Sequence, residues 1–550
     1  MTVPVGAGAL TLDDLVAVAR KGAVPTLAPD CLPGMQASLG WVADIAARMD
    51  RGEPTPPIYS INTGFGSLAG RQAFARSEQA CDLSRRLVLS NAAGTGRPLD
   101  TEVVRAAMLI RAASLARGYS AVRPELVETL LAMLARGLTP EVPEYGSLGA
   151  SGDLIPLAHL ALVFTRDADP AADLEADSGW AHLDGQRMTG AAAMQAAGLT
   201  RHALGPKEGL ALLNGTSFST ALTALALADA DNLVATAEVA AAMSIEALTG
   251  FGDAFVSELH AARGHAGQIE TAANLRRLLA GSALIDGGAG RDPLRQPPQD
   301  AYSLRCVPQV LGPVRDTLGF LRGLVETEIN AATDNPLIFA DGLPGRQLKA
   351  LSGGNFHAQY MAFAGDFLSI AVTELGNIAE RRLFRLNDGT LNRGLPDMLV
   401  ASEPVGMDCG YMLPQYLAAG LVSDCKTLAH PDSVDSIPTC SNQEDHVSMA
   451  HNAGRHSRQI LRNIETVVGI ELLMAAQALE LRLAGRDLGC DALAPPSRAV
   501  LALLRATPAA DGRPIDHLAR DVVLAPRIET ARGLVHSGAA LAAARNAMGR

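Results

Sequence analysis

The sequence predicts a mainly α-helical protein whose core is a bundle of long helices. Ala- and Leu-rich stretches place apolar residues at helical spacing, as in TEVVRAAMLIRAASLARG (101–118) and IETVVGIELLMAAQALELRLAG (464–485). Long runs of alternating Val, Ile and Thr bounded by hairpin turns are missing, so any strands should be short. Hydrophobic residues make up 48% of the chain and charged residues 19%, which is enough apolar material for a large buried core.

Breaks in the helical pattern divide the chain into blocks. Gly, Pro and Asp cluster at residues 51–70, 166–185 and 281–300, and these clusters predict loops. We expect an N-terminal domain over 1–205, a central long-helix bundle over 206–480 and a C-terminal helical segment over 481–550. No Pro/Ser-rich linker separates the blocks, so the sequence predicts one interlocked body.

The composition narrows the classes of partner. The 550 residues carry a formal net charge of -12. This charge argues against binding to nucleic acid or to anionic membrane surfaces, because both are bound by clustered Lys and Arg. The N-terminal residues lack a basic segment followed by an apolar run, and no uncharged stretch has membrane-spanning length. We therefore expect a cytoplasmic protein with a small-molecule substrate, no nucleic acid partner and no membrane partner.

The cysteines and histidines do not form a metal-binding pattern. The seven cysteines are widely spaced without a CxxC pair, which predicts reduced, mostly structural thiols. His446, His451 and His456 are five residues apart, a spacing that does not place three imidazoles on one helix face. We expect neither a bound metal nor an external cofactor.

The chemistry is expected in EVPEYGSLGASGDLIPLAHLAL (141–162), where Ala150, Ser151 and Gly152 lie between a Gly-rich loop and an apolar helix. In a tight bend, the Gly152 amide nitrogen can attack the Ala150 carbonyl and close a five-membered ring that loses two waters, one of them from the Ser151 hydroxyl. The product is a methylideneimidazolone (MIO) with a strongly electrophilic carbon. Gly removes obstruction at the attacking position. On its own the tripeptide is equally compatible with an ordinary loop before a helix.

The segments around this tripeptide resemble one known family. VPEYGSLGASGDLIPLAH, with other matching segments in order, is similar to the histidine and phenylalanine ammonia-lyase family. The resemblance implies an ammonia-lyase/fumarase-like architecture and an N-terminal domain that forms MIO autocatalytically. It also implies a homotetramer with shared active sites. The other matching segments are YSINTGFG (59–66), KEGLALLNGT (207–216), QDAYSLRCVPQVLG (299–312), EINAATDNPLI (328–338), SGGNFHAQ (352–359) and HPDSVDSIPTCSNQEDHVSM (430–449).

The resemblance assigns catalytic roles to two tyrosines. Tyr59 would be the base that removes the substrate β-proton, although its ordinary pKa near 10 must then be lowered by positive charge or hydrogen bonds. Tyr302 matches the second active-site tyrosine and would share a face with Arg305 in a helix. Without the family match, the sequence favours a structural role for Tyr59 as a buried tyrosine at a loop turn.

Four further residues match substrate-binding positions of the family. Arg305 would hold the substrate carboxylate through its planar fork of donors, with a salt bridge as the structural alternative. Asn214 and Gln299 would bind MIO or the amino-acid end of the substrate. Phe356 matches an aromatic residue near MIO, and core packing is its alternative.

Two segments bear on the substrate side chain. Glu444 in NQEDHVSM matches the histidine branch, because a carboxylate suits an imidazole with N–H donors. Ser90 and Asn91 stand where histidine-specific relatives have Ser-His, and Asn cannot become positively charged. We predict elimination of ammonia from L-histidine or a close histidine-like amino acid to give a urocanate-type acrylate. The alternatives are a phenylalanine/tyrosine-type lyase, a 2,3-aminomutase that re-adds the ammonia at the β-carbon, and a non-catalytic paralogue, which is expected to lose catalytic groups.

Overall fold

α-Helices make up most of the protein, as the apolar periodicity predicts. The computed structural model describes residues 1–70, 74–288, 298–404 and 406–549, so the predicted loop at 281–300 lies partly outside the described residues. The mainly helical fold class is confirmed. The described helices are α1 (Leu12–Arg20), α2 (Leu32–Asp50), α3 (Ser77–Asn91), α4 (Thr101–Ala116), α5 (Pro124–Ala135), α6 (Leu154–Phe164), α7 (Gly190–Ala196), α8 (Glu208–Leu213), α9 (Ser217–Ala247), α10 (Ser257–Ala261), α11 (Ala266–Leu278), α12 (Tyr302–Arg305), α13 (Val307–Ile329), α14 (Gln359–Asn387), α15 (Met412–Leu428), α16 (Ala450–Ala484), α17 (Pro495–Ala506), α18 (Ala525–His536) and α19 (Ala539–Ala547).

The strands are short, and within the described ranges none is longer than four residues. The strands are β1 (Thr2–Val5), β2 (Val24–Leu27), β3 (Thr95–Pro98), β4 (Thr139–Pro140), β5 (Pro143–Tyr145), β6 (Thr165–Arg166), β7 (Trp180–Leu183), β8 (Gln186–Thr189), β9 (His202–Ala203), β10 (Leu337–Ile338) and β11 (Ala350–Leu351). They pair as β1–β2 and β6–β9, both parallel, and as β3–β5, β4–β7–β8 and β10–β11, all antiparallel. No described helix combines the length and apolar character needed to cross a membrane.

The chain folds into two compact units, each assembled from separate segments. Unit 1 contains Met1–Leu225, Arg322–Asp366 and Pro431–Arg455, and unit 2 contains Ala226–Leu321, Phe367–His430 and His456–Arg550. The division of the sequence at residues 205 and 480 stays a prediction, because it concerns consecutive blocks of the chain rather than these units.

Unit 2 contains the helical packing that the long apolar repeats predict. Glu471 on α16 is fully buried, and its Oε1 accepts hydrogen bonds from Ser244 Oγ on α9 at 2.7 Å and from Arg382 Nε on α14 at 2.5 Å. Arg382 Nη2 donates to Glu471 Oε2 at 2.8 Å. Because a buried carboxylate is stable only when its acceptors are satisfied, this one residue fixes three long helices against each other.

Unit 1 contains a second buried ion pair. Lys207 precedes α8 and Asp334 lies in the segment before β10; both side chains are fully buried, and the Lys207 Nζ donates to Asp334 Oδ2. Lys207 Nζ also donates to the Ser120 carbonyl at 3.2 Å. Burial lowers the pKa of Lys207, and the charge of Asp334 opposes that shift. The pair fixes α8 against the 330–338 segment.

Removal of one charge of this pair should destabilise the protein. In Asp334→Asn the Lys207 ammonium loses its counter-charge inside unit 1, and breaking a buried pair costs about 3 to 5 kcal/mol. Urea denaturation should show a lower midpoint. Glu53→Gln removes one charge of the exposed pair Arg51–Glu53 and should leave the midpoint unchanged. An unchanged midpoint in Asp334→Asn would show that the buried pair does not stabilise unit 1.

Candidate active site

The 150–152 turn, formed by Ala150, Ser151 and Gly152, adopts a geometry that only glycine permits at its last position. Gly152 has a φ of +72°, and a Cβ atom added there would lie 2.3 Å from the carbonyl oxygen of Gly215. The two glycines pair as an isolated parallel bridge, and the Asp153 amide donates to the Gly215 carbonyl at 2.7 Å. The turn is therefore pressed directly against the backbone that follows α8.

Asn214 holds the middle of the turn. Its Nδ2 donates to the Ser151 carbonyl at 2.7 Å, while its buried Oδ1 accepts no hydrogen bond from the residues that the structure describes. Arg111, fully buried on α4, donates to the carbonyls of Asn214 at 2.8 Å and Ala211 at 2.5 Å. The guanidinium thus satisfies the carbonyls at the end of α8, where the helix leaves them unpaired.

Asp153 was not singled out from the sequence, yet it anchors the turn. Its carboxylate is fully buried and accepts from Ser147 Oγ at 2.7 Å, Ser219 Oγ at 2.7 Å and the Ser219 amide at 2.8 Å. His451 Nδ1 lies 3.9 Å away. Burial lowers the pKa of His451, and the Asp153 charge opposes that shift. The sequence signal that could have found Asp153 is a charged residue between a glycine and a helix that is apolar except for His159.

Glu444 contacts the central residue of the turn. Ser151 Oγ donates to Glu444 Oε1 at 2.6 Å, and Thr439 Oγ1 donates to Glu444 Oε2 at 2.7 Å. The backbones of Thr439 and Glu444 form an isolated antiparallel bridge. Both carboxylate oxygens therefore have hydroxyl donors, and the side chain is fixed in direction.

Tyr59 lies between α2 and α3, and the centre of its ring is 6.0 Å from the centre of the Phe65 ring. Its hydroxyl oxygen accepts a hydrogen bond from the Gly66 amide at 2.9 Å. Burial raises the pKa of Tyr59 to about 12, and the nearby Cys440 and Glu444 add to the rise. The Gly66 hydrogen bond lowers the pKa but is outweighed, so the surroundings together favour the neutral phenol, opposite to the lowered pKa that a base requires.

A single cavity of about 810 Å³ joins these groups within unit 1. Its volume suits a small-molecule ligand. The sequence predictions thus converge in space, because residues from five separate stretches of the chain line one opening. The predicted residues that line it are Tyr59, Ala150, Ser151, Asn214, Phe356 and Glu444.

Five predicted residues outside the 150–152 turn are not among the residues that line this cavity. Ser90 and Asn91 end α3, where Asn91 Nδ2 donates to the Leu87 carbonyl at 2.8 Å and Ser90 Oγ to the same carbonyl at 3.3 Å. Gln299, Tyr302 and Arg305 belong to unit 2.

Tyr302 and Arg305 contact each other, as a shared helix face predicts. The Arg305 guanidinium lies 4.7 Å from the centre of the Tyr302 ring, and its Nε donates to the Asp300 carbonyl at 2.8 Å. Tyr302 is 71% exposed. Among the residues that the structure describes, no second hydrogen bond from this guanidinium is present.

Two histidines that the sequence analysis did not place at the site also line the cavity. His357 and His446 stack with ring centres 5.4 Å apart, and His446 Nδ1 lies 3.3 Å from His357 Nε2. Burial lowers the pKa of His357. His357 follows Phe356 in SGGNFHAQ, and His446 lies two residues after Glu444 in NQEDHVSM. These positions were the sequence signal that could have placed both histidines at the site.

The residues of the turn fit a ring formed from Ala150, Ser151 and Gly152. The side chains are small, and the Gly152 backbone is held in a left-handed conformation against Gly215. The buried Asn214 Oδ1, which has no partner among the described residues, stays an acceptor for an N–H group of a bound ligand, because the ring itself carries no N–H.

The helical fold is shared with solved lyases and aminomutases. Tyrosine aminomutase from Streptomyces globisporus is 35% identical, with a TM-score of 0.86 over 99% of both chains. Histidine ammonia-lyase from Trypanosoma cruzi is 34% identical, with a TM-score of 0.84 over 100% of this chain and 96% of that chain.

Sequence comparison identifies the family. The model of the aromatic amino acid lyase family matches residues 10–506. Histidine ammonia-lyase of Symbiobacterium thermophilum is 45% identical over 534 residues, which are 97% of this chain and 96% of that relative. The protein belongs to the aromatic amino acid lyase family, and the resemblance predicted from the motifs is confirmed.

The close contact between Gly152 and Gly215 can be tested with two alanines. Gly152 and Gly137 share a φ of +72°, but a Cβ at Gly137 meets nothing within 4 Å. The left-handed conformation costs an alanine roughly 1 to 2 kcal/mol at either position. Overlap with Gly215 should cost Gly152→Ala about 1 to 3 kcal/mol more, measured as free energy of unfolding. Equal losses in the two variants would contradict the described contact.

Proposed function

We propose that this protein is an ammonia-lyase that removes ammonia from L-histidine, or from a close histidine-like amino acid, to give a urocanate-type acrylate. The observation that carries the proposal is the placement of the Glu444 carboxylate 2.6 Å from Ser151 Oγ in one cavity. A carboxylate at that position offers an acceptor to an imidazole N–H beside the reacting turn. The high identity to histidine ammonia-lyases over nearly the whole chain supports the same substrate.

The family is a class of MIO-dependent lyases. We infer that Ala150, Ser151 and Gly152 form MIO here, since they occupy a turn whose last residue approaches Gly215 too closely for any side chain. When formed, the group supplies an electrophilic carbon that assists departure of the amine. Asn214 then serves to hold the turn through its contact with the Ser151 carbonyl. No external cofactor is needed in this proposal.

The remaining predicted residues receive roles at the substrate. Phe356 provides an apolar wall of the cavity, and Arg305 provides a bidentate partner for the substrate carboxylate. Gln299 binds MIO or the amino-acid end of the substrate, Tyr302 acts as the second active-site tyrosine, and Ser90 with Asn91 contributes polar groups for the side chain. These assignments rest on the family resemblance.

Tyr59 is the proposed base. Its raised pKa means that few molecules carry the tyrosinate at neutral pH, so the ionised form must be favoured by positive charge once substrate and the other binding groups are in place. A tyrosinate with a high pKa is a strong base towards a weakly acidic β-proton.

A second candidate is a 2,3-aminomutase. The similarity to tyrosine aminomutase favours it, because the fold match is as good as that to a histidine ammonia-lyase. An aminomutase needs the same base and the same turn but must retain ammonia until it re-adds at the β-carbon. A phenylalanine- or tyrosine-type lyase is less well supported, because Glu444 would face a ring without an N–H donor.

A homotetramer with shared active sites is the proposed assembly. Unit 2 carries an apolar groove of about 610 Å³ lined by Phe320, Phe367 and Ile370, which are 58%, 42% and 49% exposed. Exposed apolar patches of this kind commonly mark protein interfaces. A cytoplasmic location is part of the same proposal.

Replacement of Ser151 tests the lyase reaction. Wild-type protein should convert histidine to urocanate and release equal amounts of ammonia, whereas Ser151→Ala should lose at least about a thousandfold in rate, roughly 4 kcal/mol of activation free energy. A β-amino acid product would instead identify the aminomutase. Undiminished turnover in Ser151→Ala would exclude the proposed ring chemistry.

The pH dependence tests Tyr59. Because its pKa is raised to about 12, the tyrosinate fraction increases as pH rises, so kcat/KM for histidine should climb between about pH 7 and 9. Tyr59→Phe should lower kcat/KM by about 100- to 10,000-fold and remove that climb. Titration of the substrate affects the wild-type protein and Tyr59→Phe equally. Tyr416→Phe, which changes an exposed tyrosine, serves as the control. An unchanged profile in Tyr59→Phe would contradict the assignment.

A further inference from the structure

The hydrogen bond between Ser151 and Glu444 has a use that precedes substrate binding. Ring formation in the 150–152 turn, on which this inference rests, requires the Ser151 hydroxyl to leave. The oxygen that must leave is the one that donates to Glu444 Oε1 at 2.6 Å. A carboxyl group is therefore already in contact with a reacting atom of the maturation chemistry.

The loss of this hydroxyl is difficult without a proton carrier. The Cα–H bond of Ser151 breaks and its electron pair forms the Cα=Cβ double bond, while the Cβ–O bond breaks and the oxygen departs. Hydroxide is a poor leaving group, so the oxygen must leave as water with an added proton. One carboxyl group can accept the Cα proton and supply the proton to the departing oxygen, which returns it to its starting state.

We propose that Glu444 is this proton carrier and is a catalytic residue of the protein's own maturation. The proposal adds a role to the substrate contact assigned above. It assigns the second dehydration, loss of the Ser151 hydroxyl, to a residue 293 positions away in the chain.

The surroundings of Glu444 suit proton transfer at one atom. Thr439 Oγ1 donates to Oε2 at 2.7 Å, and the Thr439–Glu444 bridge fixes the backbone, so Oε1 is directed at Ser151. On the other side, Asn214 Nδ2 holds the Ser151 carbonyl at 2.7 Å. Donor and acceptor are thus positioned before the reaction, which is the condition for efficient proton transfer.

The other nearby carboxylate on the turn is already engaged. Asp153 accepts three hydrogen bonds from Ser147 and Ser219 and is fully buried. Its structural role in holding the turn leaves Glu444 as the carboxyl group that contacts the reacting hydroxyl.

The two roles of Glu444 follow in order. Before maturation, Oε1 accepts from the Ser151 hydroxyl. Loss of that hydroxyl removes the donor and frees the same oxygen for an imidazole N–H of the substrate. The acceptor that assists maturation thereby becomes the acceptor that selects a nitrogen-containing ring.

Time-resolved intact-mass measurement of the newly synthesised full-length chain tests this role. Wild-type protein should become lighter by two waters. Glu444→Gln should lose the second water at least about 100-fold more slowly and accumulate a species lighter by one water. Asp445→Asn is the matched control, because Asp445 lines the same cavity, and it should mature at the wild-type rate. Ser151→Ala should never lose two waters.

Folding of the variants is checked by circular dichroism. If Glu444→Gln fails to fold, Glu444→Ala is measured with and without added formate, and the proposal predicts slow maturation that formate accelerates. Maturation of either variant at the wild-type rate would overturn the role of Glu444 while leaving the lyase function intact. A wild-type chain that keeps its full mass would overturn both, because the ring itself would not form.

Discussion

The close approach of two backbones, at Gly152 and Gly215, is the constraint on which the site depends. A Cβ at Gly152 would lie 2.3 Å from the Gly215 carbonyl oxygen, so the turn can form only if residue 152 lacks a side chain. This contact brings Ser151 to Asn214 on one side and to Glu444 on the other. The reactive tripeptide is thereby held by the fold itself rather than by its own sequence preference.

Buried polar groups maintain that approach. Asp153 ties the turn to the start of α9 through Ser219, and Arg111 satisfies the carbonyls at the end of α8. The pair of Lys207 and Asp334 fixes the other end of the same short helix. Charges buried in this way are costly unless every partner is present, so they favour one arrangement of the segments over alternatives.

The features of the protein that depend on local sequence pattern could be predicted from the sequence. Helical periodicity gave the fold class, and the small residues of the turn gave the candidate chemistry. Asp153 and the pair of His357 and His446 were missed, because their roles arise from contacts between distant segments that no spacing rule reveals. The pKa of Tyr59 could not be predicted from the sequence either, because burial raises it to about 12 and burial depends on the folded loop. Motif resemblance supplied Glu444, and the structure supplied its contact with Ser151.

A high-resolution crystal structure of the purified protein would show directly whether the 150–152 turn has closed into a ring. Ring formation predicts continuous density between the Gly152 nitrogen and the Ala150 carbonyl carbon, a planar former Ser151 Cα, and no Oγ. It also predicts that Asn214 still contacts the ring. An open chain with an intact Ser151 hydroxyl against Glu444 in active enzyme would contradict it.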